Sequence, residues 1–588
     1  MPAYQLEPPE KQHMSTRVTA KFEGKGTMSR RRFVGLSALG GLVGLFLPGV
    51  RARIQGNRQQ RVSKDMLRGA EGITGLQFTE EERELMLDGV NENLEAYDRL
   101  RAIPLDNSVP PALQFNPLPA GAAPEVKLGK NRRTKVQLPP LPSDLEEVAF
   151  WPAVYLAELV RRKKVSAREL TEMYLARLRR YDPHLKCVVT LTEERAIEQA
   201  RRADDELARG RYRGPLHGLP WGAKDLLATR GYKTTWGAMP YKDQVLDYDA
   251  TVVERLDQAG AVLVAKLTLG ELAWGDVWFG GQTKNPWNLE QGSSGSSAGP
   301  AAATAAGLVA FSIGSETYGS IVSPCSRCGV TGLRPTFGRV SRFGAMALSW
   351  SMDKLGPICR CVEDCALVLA AIHGPDGKDL TVVDLPFAWD ARADVRKLRV
   401  GFVESAFADP RRDEQARARD TAVLDVLRSL GVDLVSIELP DYPVEALEFI
   451  LSAEAAAAFD ELTRTNRDDL MVRQVKNAWP NVFRQSRLIP AVEYIQANRV
   501  RTLLMQEMGK LMTKVDVYVA PSFGGNNLLL TNLTGHPAVV VPNGFSEKGT
   551  PTSITFVGRL FDEAQLLAVA KAYQDVTEFH LQHPTLPA

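Results

Sequence analysis

The stretch from Gly292 to Ser320, GSSGSSAGPAAATAAGLVAFSIGSETYGS, limits the possible folds more than any other part of the chain. A Gly/Ser-rich run such as Gly292 to Gly299 is, by composition alone, a flexible linker or a turn. Here it leads straight into an Ala-rich segment of high helix propensity that ends at Gly307 and passes into a short apolar stretch, so it reads as a built turn between elements. The next turn, Ser-Glu-Thr-Tyr-Gly-Ser, contains Gly319, which lets the backbone bend sharply and aim its N–H groups at one point, an arrangement able to hold an oxyanion. Upstream, Lys224 closes Gly218-Leu-Pro-Trp-Gly-Ala-Lys224, whose first six residues carry no charge and read as a buried strand end. Burial favours the neutral amine. Ser296, Ser320 and Lys224 together suggest a serine hydrolase that works without histidine.

These segments resemble the amidase signature family in order and spacing. The resemblance runs from about Phe150 to the C-terminus. It passes through NPWN at Asn285 to Asn288, CGVTGLRPTFGRVSRFG from Cys328 to Gly344, and TGHPAVVVPNGF from Thr534 to Phe545. It implies Ser320 as nucleophile, Ser296 as a bridging serine on a cis peptide, Lys224 as base, and the backbone N–H groups of Thr317, Tyr318, Gly319 and Ser320 as the oxyanion hole. The expected reaction is hydrolysis of a carboxylic amide to a carboxylate plus ammonia or amine through an acyl-enzyme. A serine hydroxyl is a poor nucleophile at neutral pH, so a base must remove its proton as the new bond forms. The chain departs from the common family pattern in three places. Tyr318 stands where a second glycine is usual, Val322 where arginine is frequent, and Glu316 where aspartate is usual. The first could narrow the pocket, and the second implies a charged network lost or rebuilt.

Other chemistries find less support. The seven histidines include no HExxH motif. The nearest triad candidates, His217 and His536, fit structural roles better. Cys325-x-x-Cys328 and the trio Cys359, Cys361 and Cys365 raise zinc or a disulfide, yet a buried, helix-like setting is the favoured reading, with no metal and no cofactor expected. With 72 Lys+Arg against 70 Asp+Glu, the chain has no broad basic surface of the kind nucleic-acid binding requires. The run Arg161-Arg162-Lys163-Lys164 reads as a solvated helix end.

The N-terminus carries a second signal. Ser29-Arg30-Arg31-Arg32-Phe33-Val34 and the Gly-rich apolar run through Leu47 resemble a twin-arginine export signal, with Val50-Arg51-Ala52 similar to a small-residue cleavage site. The run is too short and glycine-rich to span a bilayer comfortably, so no stable membrane insertion after cleavage is expected. The expected organisation is a signal over 1–52, an extension, arm or linker over 53–142 with an acidic helix at Thr79 to Arg99, and an amidase domain over 143–588. Within the domain, a helix-rich segment at about 444–510 would cover the substrate. The resulting expectation is a periplasmic or secreted enzyme acting on a small-molecule amide and using the twin-arginine export machinery as a partner. Two alternatives stay open: a glutamyl-tRNA amidotransferase A-like subunit, and a non-catalytic binding protein on the same scaffold.

For the fold, a capping box at Ser166-x-x-Glu169 opens an amphipathic helix through Leu170, Met173, Leu178 and Tyr181. Apolar stretches at Ala261 to Ala265, Leu398 to Val403, Val432 to Leu439, Val515 to Ala520 and Ala538 to Val541 read as strands separated by helices. The expected class is α/β, and the resemblance implies a mixed central β-sheet covered by helices on both faces. An aromatic cluster, Trp274, Trp278, Phe279 and Trp287, reads as core or as an apolar pocket wall.

Overall fold

A computed structural model describes residues 61–119, 121 and 131–587. The twin-arginine-type segment at 1–52 lies outside them. The chain divides into two compact units after Ile103. Of the first, residues 61–103 form two helices, Lys64–Thr74 and Glu80–Arg101. The second helix starts where its caps dictate: Thr79 Oγ1 accepts from the Glu82 N–H at 3.2 Å, and the Glu82 carboxylate accepts from the Thr79 N–H at 2.7 Å. An ion pair between Arg83 and Glu71 at 2.6 Å ties the two helices together. No helix among the described residues is long and apolar enough to cross a membrane.

The second unit is built on one mixed sheet of eleven strands flanked by helices. Its strands are β1 (Val188–Leu191), β2 (Pro220–Lys224), β3 (Val262–Leu267), β4 (Phe311–Glu316), β5 (Thr331–Arg334), β6 (Lys354–Cys359), β7 (Val400–Val403), β8 (Leu434–Ile437), β9 (Val517–Pro521), β10 (Ala538–Phe545) and β11 (Pro551–Gly558). Their spatial order is β1-β3-β2-β4-β6-β5-β10-β11-β9-β7-β8. Strands β3, β2 and β4 run parallel, as do β8, β7 and β9, and the pairs between these two groups are antiparallel. Central strands such as β2, β3 and β4 are buried along their whole length, which is why VLVAKL and FSIGSE read as continuous runs with little alternation. Trp221 and Phe311 sit opposite each other on β2 and β4 and stack at 6.1 Å, a cross-strand aromatic pair in the sheet's interior.

The capping box at Ser166 forms as expected. The helix Ala167–Leu185 that it opens buries Leu170, Met173 and Leu178 on one face. All five strand stretches read from the sequence become strands, with edges moved by a few residues. Strands β1, β5, β6 and β11 have no apolar run long enough to stand out, and β5 and β6 carry Gly or Pro inside, so the sequence does not mark them. The basic run follows the helix Ala153–Arg161 and is exposed, with Arg161 and Arg162 both on Glu158.

The described residues of 104–142, namely 104–119, 121 and 131–142, belong to this same unit. Asn107 donates to the Ala347 carbonyl at 2.9 Å and accepts from the Ala347 N–H at 2.7 Å. The Phe115 ring lies 5.0 Å from Phe337, with the Arg501 guanidinium 3.8 Å above it. Further on, the Thr134 N–H donates to Glu363 at 2.8 Å.

Candidate active site

The parallel strands β2 and β4 end side by side, and the chain converges just beyond their ends, the usual place for a site in an open α/β sheet. Lys224 is the last residue of β2 and is fully buried. Its Nζ lies 2.8 Å from Ser296 Oγ, 3.0 Å from Ser297 Oγ and 2.9 Å from Ser315 Oγ. Burial pushes its ammonium well below the ordinary lysine range, against the opposing pull of Asp353 and Glu316.

Ser296 is placed by the turn that the Gly/Ser run encodes. The Gly295–Ser296 peptide is cis. A Cβ at Gly295 would fall 1.9 Å from the Gly275 carbonyl oxygen, so only glycine fits that close approach. Ser297 then stands at the N-terminal boundary of the helix Ala298–Ala305, which ends before Gly307 in the left-handed region. The Ser297 N–H donates to the Ser320 carbonyl at 3.1 Å, which brings the second serine alongside the first. The structure thus gathers Lys224, Ser296 and Ser320 into one place.

The turn from Thr317 to Ser320 is bracketed by two buried carboxylates. Thr317 Oγ1 donates to Asp353 at 2.6 Å. At the other end the N–H groups of Ile321 and Val322 donate to Glu316 Oε2 at 2.8 and 2.9 Å. Gly319 holds φ of +81° between them. Among the described residues, the N–H groups of Tyr318, Gly319 and Ser320 have no hydrogen-bond acceptor. The Glu316 carboxylate also meets Arg334 at 2.7 Å and Asn532 at 2.8 Å. Burial pushes it up, but the Arg334 charge and its other donors win and hold it down at about 2. Arg334 of β5 and Asn532 of the helix Asn527–Leu533 thus hold the carboxylate beneath the turn, where Val322 offers no charge.

A cavity of about 490 Å³ opens onto Ser320, Thr317, Tyr318 and Gly295. Its far wall comes from the helices Phe449–Ala458 and Trp479–Ser486, within the segment read as a substrate cover. That wall is fixed to the loop after β3. Glu271 accepts from the Val472 and Arg473 N–H groups at 3.0 and 3.2 Å, and Trp479 Nε1 donates to the Leu272 carbonyl at 2.9 Å.

The remaining candidates lie elsewhere. The four aromatics do not form one cluster. Trp274 lines the cavity and meets Trp479 edge-on at 4.5 Å. Trp278 packs on Phe279, and Trp287 packs on Phe545 while donating to the Cys328 carbonyl. His217 is held by the Ala203 carbonyl at 2.8 Å. His536 meets Thr534 at 2.8 Å, and burial, with help from Arg334, lowers it to about 3. All six cysteines are free and buried, and burial pushes the Cys325 and Cys328 thiols up. Ser297, Ser315 and Asp353 complete the site; Ser297 belongs to the Gly/Ser run, while Ser315 and Asp353 are brought in by the neighbouring strands β4 and β6.

The fold and this geometry define a hydrolase of carbon–nitrogen amide bonds. Residues 169–529 match the family model described as Amidase, and the chain belongs to that family. It is 36% identical over 475 residues to the glutamyl-tRNA(Gln) amidotransferase A subunit of Roseiflexus sp., covering 73% of this chain and 97% of that one. Among solved structures it is similar to the native peptide amidase of Stenotrophomonas maltophilia, with a TM-score of 0.66 and 29% identity over 75% of this chain and 99% of that one. It is also similar to the glutamyl-tRNA(Gln) amidotransferase A subunit of Thermotoga maritima, with a TM-score of 0.62 and 27% identity over 76% and 99%.

Proposed function

We propose that the protein hydrolyses a carboxylic amide through an acyl-enzyme on Ser320, with Ser296 as proton bridge and Lys224 as base. One observation carries this reading: a buried amine 2.8 Å from a serine hydroxyl whose neighbour is bonded to the Ser320 backbone. The hydrogen bonds at the Lys224 end support this direction of proton flow. Ser297 Oγ donates to the Ser315 carbonyl at 3.0 Å, so toward Lys224 it can only accept. A neutral amine that donates to Ser297 and Ser315 keeps its lone pair for the Ser296 hydroxyl. As the Ser320 oxygen bonds to the substrate carbonyl carbon, its proton passes to Ser296 while the Ser296 proton passes to Lys224. The relay then reverses, protonating the leaving nitrogen as the C–N bond breaks. Water releases the acyl group by the same route. A positioned base contributes about 10²–10⁴ in rate, and each oxyanion donor about 2.7–4 kcal/mol.

The test is covalent labelling by a fluorophosphonate together with ammonia or amine release from an amide panel. Both are expected in the purified protein and absent from Ser320→Ala; labelling that persists in that variant would overturn the assignment, and a non-catalytic scaffold would show neither. The 36% identity to amidotransferase A subunits supports a second reading, in which ammonia from an amide donor serves partner chains. The Ser-Arg-Arg-Arg-Phe-Val motif supports export in its place. Cell fractionation separates them. Export predicts a periplasmic or secreted protein that Arg30→Lys with Arg31→Lys retains in the cytoplasm, whereas the amidotransferase reading predicts retention of the unaltered chain.

A further inference from the structure

We infer that the cavity selects amides carrying a cationic amine beside an apolar or aromatic group, with Glu448 as the residue that recognises the charge. This rests on the reading of Ser320 as nucleophile. Among the described residues that line the cavity, Glu448 is the one charged side chain. Its carboxylate makes no hydrogen bond or ion pair among the described residues. Glu448 is exposed at the start of the helix Phe449–Ala458, and the rest of the lining is largely aromatic and aliphatic, with Trp274, Tyr318, Phe449 and Trp479 as the large rings. Aromatic faces with a single carboxylate suit an ammonium, which gains from the ring quadrupole and from a charge-assisted hydrogen bond. Among the described residues that line the cavity a substrate carboxylate would meet no cation and would face Glu448; the Arg473 guanidinium lies beyond Gly275, its Nη1 3.5 Å from where a Cβ on that glycine would stand.

The experiment compares matched amides with wild type and Glu448→Gln. On the acyl side, L-phenylalaninamide is set against 3-phenylpropionamide and the anionic N-succinyl-phenylalaninamide. On the amine side, N-(2-aminoethyl)benzamide is set against N-propylbenzamide. In at least one arm the cationic amide is expected to have a kcat/KM about tenfold above its neutral partner. That ratio should fall toward one in Glu448→Gln and invert in Glu448→Lys, while fluorophosphonate labelling of Ser320 persists in both variants. Equal ratios in wild type and Glu448→Gln in both arms would overturn the inference and leave the amidase reading standing. Loss of all turnover and labelling in wild type would instead strike the amidase reading. In that case calorimetric binding of N-(2-aminoethyl)benzamide to Ser320→Ala still decides: about tenfold weaker binding in Ser320→Ala/Glu448→Gln supports a cation site, and equal binding refutes it.

Discussion

Arg334 at the end of β5 meets Glu316 at the end of β4 at 2.7 Å, and both side chains are completely buried. Through Glu316 this pair also holds the two N–H groups that come after Ser320, so one ion pair supports both the sheet and the nucleophile turn. Removing one partner leaves a buried charge alone. Arg334→Met is expected to destabilise the protein by about 3–5 kcal/mol, measured by chemical denaturation. Glu316→Gln keeps most of the shape and should cost less stability than Arg334→Met while slowing labelling of Ser320.

Lys224 sets the acid limb of the rate. The neutral amine is the working form, so kcat/KM should rise with pH through the lowered folded pKa and then level off; Lys224→Met should lose about 10²–10⁴ in rate. The stability sign is fixed by linkage. Below the ordinary lysine value of 10.5 the unfolded chain takes up a proton that the folded one does not, so stability rises with pH toward that value. Lys224→Met should flatten this slope. Because Lys354 is also buried and lowered, some slope should remain.

Gly319→Ala tests the turn itself. At φ +81° a side chain is strained, and the added Cβ would lie 3.2 Å from Leu528 Cδ2. The strain is about 1–2 kcal/mol, so folding should survive. The displaced N–H groups should lower kcat by about 10²–10³ with a smaller change in KM.

Asn107→Ala tests how residues 104–119 are held. It would leave the Ala347 N–H and carbonyl without their partners, at about 1–3 kcal/mol. Limited proteolysis should then cut near Leu105 to Leu113 before the body is attacked. Unchanged protection would mean that Phe115 and its neighbours hold the segment without Asn107.

The amino-acid order alone determined the elements that local physics controls. The capping boxes at Ser166 and Thr79, the Ala-rich helix ended by Gly307, the buried apolar strands and the two serine turns all follow from propensity, capping and backbone freedom within a few residues of each position. Burial of Lys224 was legible too, because the residues before it carry no charge. What only the tertiary structure decided depends on pairs far apart in sequence. Arg334 and Asn532 meet at Glu316, Asp353 anchors Thr317, the expected aromatic cluster divides, and Glu448 lines the same cavity as Ser320. No local pattern encodes these, since each partner is brought in by strand order and helix packing, and an isolated Glu, Asn or Arg has the same propensity wherever the sheet delivers it.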